Sequence, residues 1–186
     1  TIETVQSSLH DATVTSAEDT TLVVYRENRF CPATSRLPEH YKDEISQIGG
    51  VKSVTPIQIV VNNCGTSLDV IVFRGVPRDG YTSGSLGFRL VEGTFENWQI
   101  REDGALVGKN LAERRNLKVG DKFDAAGITV QVAGIVETED SPQNNNVAFV
   151  HLSFLQQASR IGLGIVTQFN VKVAEEILAK SGIELV

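Results

Sequence analysis

Apolar and polar residues alternate through 128–132, where Ile128, Val130 and Val132 face one way and Thr129 and Gln131 the other. A period of two puts successive side chains on opposite faces of a strand, so this stretch, continued to Val136, predicts a half-buried antiparallel strand. Residues 122–125 alternate as well, and Ala126-Gly127 between the two runs reads as a turn. β-rich runs elsewhere predict a first core strand at 22–25, strands at Val51–Val61 and 68–76, and later strands at Val147–His151 and Gln168–Val173. A polar turn holding Gly65 separates the second and third runs and predicts a hairpin.

A longer period marks the helices. Leu37, Tyr41, Ile45 and Ile48 share one face of a helix predicted over 37–48, with Pro38 in its first turn and Gly49-Gly50 ending it. Shorter helices are predicted at 110–115, 153–161 and 174–181, with Ser153 as a capping residue for the second of these. Residues 1–21, rich in Ser, Thr and Asp, predict an extended lead-in or a short helix. The first third thus reads strand, helix, strand, strand, the opening half of a split βαβ layer. A run of Gly, Ser, Asp and Pro across 77–87 marks a boundary, after which a second unit begins.

Composition narrows the function classes. A chain of 186 residues with 41% hydrophobic and 22% charged residues buries a core and is not disordered. A formal charge of −6, with both signs interleaved, excludes the basic stripe that a nucleic-acid binder needs. No apolar run approaches the ~20 residues of a membrane-crossing helix. The chain opens on Thr1 and contains no methionine, so it is expected to be a segment of a longer product, or a chain whose modified methionines are missing from the sequence.

The sequence offers little catalytic chemistry. No Gly-x-x-x-x-Gly-Lys-Ser/Thr string is present, and Gly104 to Lys109 has the wrong spacing to wrap a phosphate. His10, His40 and His151 lie far apart with no paired ligand motif, which argues against a structural metal. Gly84-Ser85-Leu86-Gly87 lacks the spacing of a nucleophile elbow. Glu137, Glu139 and Asp140 read as a solvated loop rather than as an acid and base pair. No catalytic residue, cofactor or metal is expected.

Two features stand out. Cys31 follows the first strand and Cys64 sits at the hairpin tip, so parallel strands of a βαβ unit would bring both to one end of the sheet. A disulfide there suits an oxidising compartment, and two buried free thiols are the alternative. Phe88, Phe95 and Trp98 are either aromatic anchors for a partner or the small core of the second unit, with the core favoured because so small a unit needs its large residues inside.

An ordered series of short signals resembles the extracytoplasmic core domain of MacB-like, LolC/LolE-like and FtsX-like ABC transporter permeases. It opens with Gly49-Gly50-Val51-Lys52-Ser53-Val54-Thr55-Pro56 and continues through Phe73-Arg74-Gly75-Val76. Leu90-Val91-Glu92-Gly93-Thr94-Phe95 follows, with Thr94 where the family often has Arg. Ala105 to Ala112, Val119-Gly120-Asp121, Val130 to Val136 and Val147 to Leu152 complete the series. The resemblance spans about residues 22–173; beyond it Val173 runs into Ala174 without the longer linker typical of the family.

The resemblance implies an α+β fold in two parts. Residues 1–78 plus 165–186 would form a ferredoxin-like (porter-like) split βαβ layer, and residues 79–164 an inserted β-rich subdomain with short helices. It also implies a non-catalytic domain on the extracytoplasmic face of the cell membrane, engaging a cargo or partner protein and coupled to transmembrane helix motion. Expected partners are a cognate ATP-binding subunit or domain, a second permease subunit, and an envelope partner or lipoprotein cargo, with no nucleic acid. The alternative is a free-standing periplasmic small-ligand binding or adaptor module.

Overall fold

The alternation at 128–132 becomes the long strand around which the domain is organised. In the computed structural model, which describes residues 21–28, 31–62, 70–79, 88–138 and 142–174, strand β8 runs over Ile128–Glu137. Its first half is buried on one face only, whereas residues 132–136 are buried on both. The half-buried expectation therefore holds for the start of β8 and fails beyond it. The cause is a change of neighbours along the strand.

On one side β8 pairs in parallel with β6 (Gly104–Gly108). On its other side two antiparallel partners lie end to end: β7 (Lys122–Ala125) against residues 128–131, and β5 (Arg89–Gly93) against residues 134–137. The β7–β8 turn places Ala126 at φ 54° and Gly127 at φ 73°, the left-handed pair that a tight hairpin demands.

The remaining strands extend one sheet. They are β1 (Thr21–Tyr25), β3 (Val51–Val61), β4 (Val72–Val76), β9 (Val147–His151) and β11 (Gln168–Val173), and the order among the described residues is β1-β11-β3-β4-β9-β6-β8-β5, with β7 beside β8. The β3–β4 hairpin is antiparallel, and β4 meets β9 in parallel, Arg74 opposite Phe149. Strand β11 lies antiparallel between β1 and β3, so β1 and β3 run parallel with a strand interposed. That is the split βαβ arrangement of the expected α+β class.

Two local expectations are corrected. No helix spans 37–48: Leu37–Pro38 forms strand β2, paired with β10 (Ile165–Val166), and helix α1 covers only Tyr41–Ser46. A residue before proline is pushed toward extended backbone, which favours Leu37 in a strand over a helix. Of the expected helical face, Tyr41 and Ile48 are exposed, while Ile45 from the helix and Leu37 from β2 pack against buried residues. The run at 22–25 is not a core strand either, for β1 sits at the sheet's end with Val23, Val24 and Tyr25 exposed.

Helices α2 (Phe95–Ile100), α3 (Lys109–Arg115) and α4 (Leu152–Ala158) cover the middle of the sheet. Thr94 caps α2, its hydroxyl accepting from the Asn97 amide at 3.1 Å. The residue preceding α4 is His151, without a side-chain cap, so Ser153 does not serve as the cap. Side chains of α3 and α4 (Leu111, Ala112, Leu155) pack with Phe73, Val107, Val130 and Val150. Trp98 of α2 packs with Leu106, Ala133, Val136 and Phe149 in a second cluster, and a third gathers Val54, Leu152, Phe169 and Val171. Because Ala148 and Val150 belong to the first cluster and Val147 and Phe149 to the second, β9 is buried on both faces.

In the polar loop before β9, Pro142–Asn146 forms a 3-10 turn. A Cβ on Gly108 would lie 2.4 Å from the Asn145 carbonyl carbon, so only glycine admits this turn against β6. The lead-in at 1–20, the hairpin turn at 63–69, the stretch 80–87 and, beyond Ala174, the helix expected at 174–181 lie outside the described residues.

Candidate functional site

Three segments meet at the end of β4: Arg78 just beyond the strand, Glu102 just beyond α2, and the first two turns of α4. Arg78, Glu102, Ser153, Phe154, Gln157 and Ala158 line an open cleft of about 350 Å³. Arg78, Glu102, Ser153 and Gln157 are exposed, while Phe154 leans its ring on the first core cluster. The Gln157 side-chain amide donates to the Ser153 carbonyl at 3.3 Å. Next to Glu102, the Arg101 guanidinium donates to Asp103 Oδ1 at 2.7 Å, so these neighbours are already paired.

Close to this cleft lies a fully buried pair, Trp98 and His151. Their ring centroids are 4.2 Å apart with planes inclined at 34°. His151 Nε2 is 2.7 Å from the Trp98 carbonyl, which can only accept, so Nε2 carries the proton and donates. Trp98 Nε1 donates in turn to the Phe149 carbonyl at 3.2 Å. His151 Nδ1 is buried and has no hydrogen-bond partner among the described residues. Burial holds the imidazole pKa below its ordinary value, and the nearby Arg78 charge adds to this, while the backbones of Trp98 and Arg101 and the Glu102 charge oppose it. His151 is therefore a neutral core histidine tying α2 to β9.

The charged groups flagged in the sequence fall elsewhere. Glu137 accepts from Lys109 Nζ at 2.9 Å and from the Arg89 guanidinium. The Lys109 hydrogen bond holds the Glu137 carboxyl below the usual range, and Glu137 raises the lysine. A carboxylate held between two cations is an ionised surface clasp, unlike the raised pKa expected of a general acid. Glu139 and Asp140 are outside the described residues.

The other singled-out residues are dispersed. Trp98 is fully buried, with Phe95 half-buried at 5.1 Å from its ring and Phe88 at 4.6 Å from Phe149. The indole is thus buried among core side chains. Cys31 is exposed at the start of a 3-10 turn, and Cys64 lies outside the described residues. His40 is exposed beside Tyr41, and His10 is outside the described residues. Among the described residues no group of three or more His, Cys, Asp or Glu side chains is placed to hold a metal.

Sequence reasoning overlooked the cleft and the Trp98–His151 pair, because both join residues far apart in the chain. A local signal for α2 was present in Thr94 followed by Glu96, a capping residue ahead of an acidic first turn.

The described residues form a mixed α/β body with one large sheet and few helices. The chain superposes on the periplasmic region of MacB from Actinobacillus actinomycetemcomitans with a TM-score of 0.58 at 14% identity, over 87% of this chain and 80% of that one. The extracellular domain of the ABC-type transporter YknZ from Gram-positive bacteria gives 0.57 at 17% identity, covering 87% of each chain. Comparison with curated protein sequences finds no significant relative. The MacB-like periplasmic core domain profile matches residues 1–181, and the chain belongs to that family. It is a family of transporter permease domains, not one of known catalysts. No helix among the described residues is long and apolar enough to cross a membrane.

Proposed function

We propose that this domain is the non-catalytic extracytoplasmic part of an ABC transporter permease, that it engages a cargo or partner protein, and that it moves with the transmembrane helices. On this reading ATP is hydrolysed by a separate subunit or domain on the other side of the membrane. Residues 1–78 and 165–186 form the layer nearer the helices, and residues 79–164 the lobe that reaches the partner.

The observation that carries this reading is the way the sheet is entered and left. β1 and β11 are antiparallel neighbours with Thr21 opposite Lys172, so the chain enters and leaves the described body side by side at one edge of the sheet. From that edge the same sheet continues through β3, β4, β9, β6 and β8 to β5. A hydrogen-bonded sheet whose middle strands are packed on both faces resists bending there, so a displacement applied at β1 and β11 would be delivered to β5 as movement of a lever.

The test uses the full-length permease with its ATP-binding partner in lipid vesicles. A spin label on Glu92→Cys, at exposed β5, in a Cys31→Ser/Cys64→Ser background reports its distance from labelled lipid headgroups. The distance is expected to differ between the nucleotide-free and ATP-bound complexes. An unchanged distance in a complex that hydrolyses ATP overturns the reading.

A further inference from the structure

The cleft between Arg78, Glu102 and α4 plays no part in the reading above, and three of its polar side chains have no partner among the described residues. Among the described residues the Arg78 guanidinium, the Glu102 carboxylate and the Ser153 hydroxyl make no hydrogen bond or ion pair. This contrasts with their surroundings. Arg101 is paired with Asp103, Arg74 donates to Asn144 at 2.9 Å, and Arg114 donates to Asn146 at 3.2 Å. Arg78 and Glu102 both act electrostatically on the buried His151, so the two opposite charges overlook the same small region without closing on each other. The half-buried Phe154 and Ala158 line the same cleft.

We propose that this cleft binds a compact zwitterion: a carboxylate held by Arg78 with help from Ser153, an ammonium held by Glu102, and an apolar body against Phe154 and Ala158. A guanidinium offers two parallel N–H donors that match a carboxylate, and the Ser153 hydroxyl supplies a third. The cleft's volume sits at the small end of ligand sites, which suits a free amino acid or a dipeptide rather than a folded partner. Because Arg78 follows β4, Glu102 follows α2 and the floor is α4, an occupant would bridge three elements that otherwise meet only through the core. Occupancy would thus tie the end of β4 to the residue after α2 and to the start of α4.

Calorimetric titration of the domain with phenylalanine and with phenylalanylglycine tests this, and the two probes distinguish an amino acid from a short peptide as the source of the charges. Saturable binding of at least one is expected. N-acetylation or C-amidation of that probe should weaken binding about tenfold or more, since each removes one charged partner. Arg78→Ala should make the protein indifferent to amidation while keeping its response to acetylation, and Glu102→Gln the reverse. Trp98, the sole tryptophan, reports by its fluorescence that each variant remains folded. The proposal is overturned by absence of saturable binding of both probes to folded wild-type protein. It is equally overturned if the modified and unmodified probes bind alike.

Discussion

Strands β1 and β9 have nearly the same character in sequence, TLVVY and VAFVH, and opposite fates in the fold. Every residue of β9 is buried, whereas β1 has none buried and leaves Val23, Val24 and Tyr25 exposed. The difference lies in their neighbours. β9 has β4 on one side, β6 on the other and core clusters on both faces, while β1 is paired, among the described residues, only with β11. An apolar run therefore declares a strand, and only the sheet order decides how much of its free energy comes from burial.

That contrast can be tested by substitution at its two ends. Trp98→Ala, which empties the cluster over β9, is expected to cost about 3–5 kcal/mol of unfolding free energy, read from urea denaturation followed by circular dichroism. A loss below about 1 kcal/mol would mean that the β9 side of the sheet is not the stable part. Acid should act on the same region. His151 has its folded pKa below the ordinary value of 6.5, so the unfolded chain takes up its proton first as pH falls. Its contribution to stability is complete above pH 6.5 and is lost as pH drops through the folded pKa. Urea midpoints should accordingly fall between pH 7.5 and 5.5, and His151→Gln should flatten that slope. An equal slope in the variant would assign the acid response to other groups. The smallest effect is expected at the outer end, where Val23→Ser should change stability by no more than about 0.5 kcal/mol in the same assay.

Much of the strand content was readable from sequence because it depends on local periodicity and turn chemistry. The β7–β8 hairpin followed from alternation around Ala126-Gly127, and β3, β9 and β11 lie where their β-rich runs predicted. The helix expected at 37–48 failed because a four-residue apolar spacing also fits a short strand followed by one and a half turns of helix, and only the pairing of Leu37 with Val166 separates the two. Strand β5 escaped notice because Arg89–Gly93 carries just two apolar residues, Leu90 and Val91, and owes its pairing to β8. The candidate site was less accessible still. Arg78, Glu102 and Ser153 become neighbours only once β4, α2 and α4 are assembled, and no spacing along the chain announces that.

Asn145 closes the loop ahead of β9 in a way that makes the domain's lifetime depend on one amide. Its Oδ1 accepts from the Thr138 N–H at 2.8 Å and its Nδ2 donates to the Thr138 carbonyl at 3.1 Å, so the side chain acts as an extra rung beyond the end of β8. Hydrolysis of that amide to a carboxylate, the ordinary chemical ageing of asparagine, would leave two acceptors facing each other where a donor had met a carbonyl. The oldest molecules in a population should therefore be the first to let this loop come away from the Gly108 backbone it rests on.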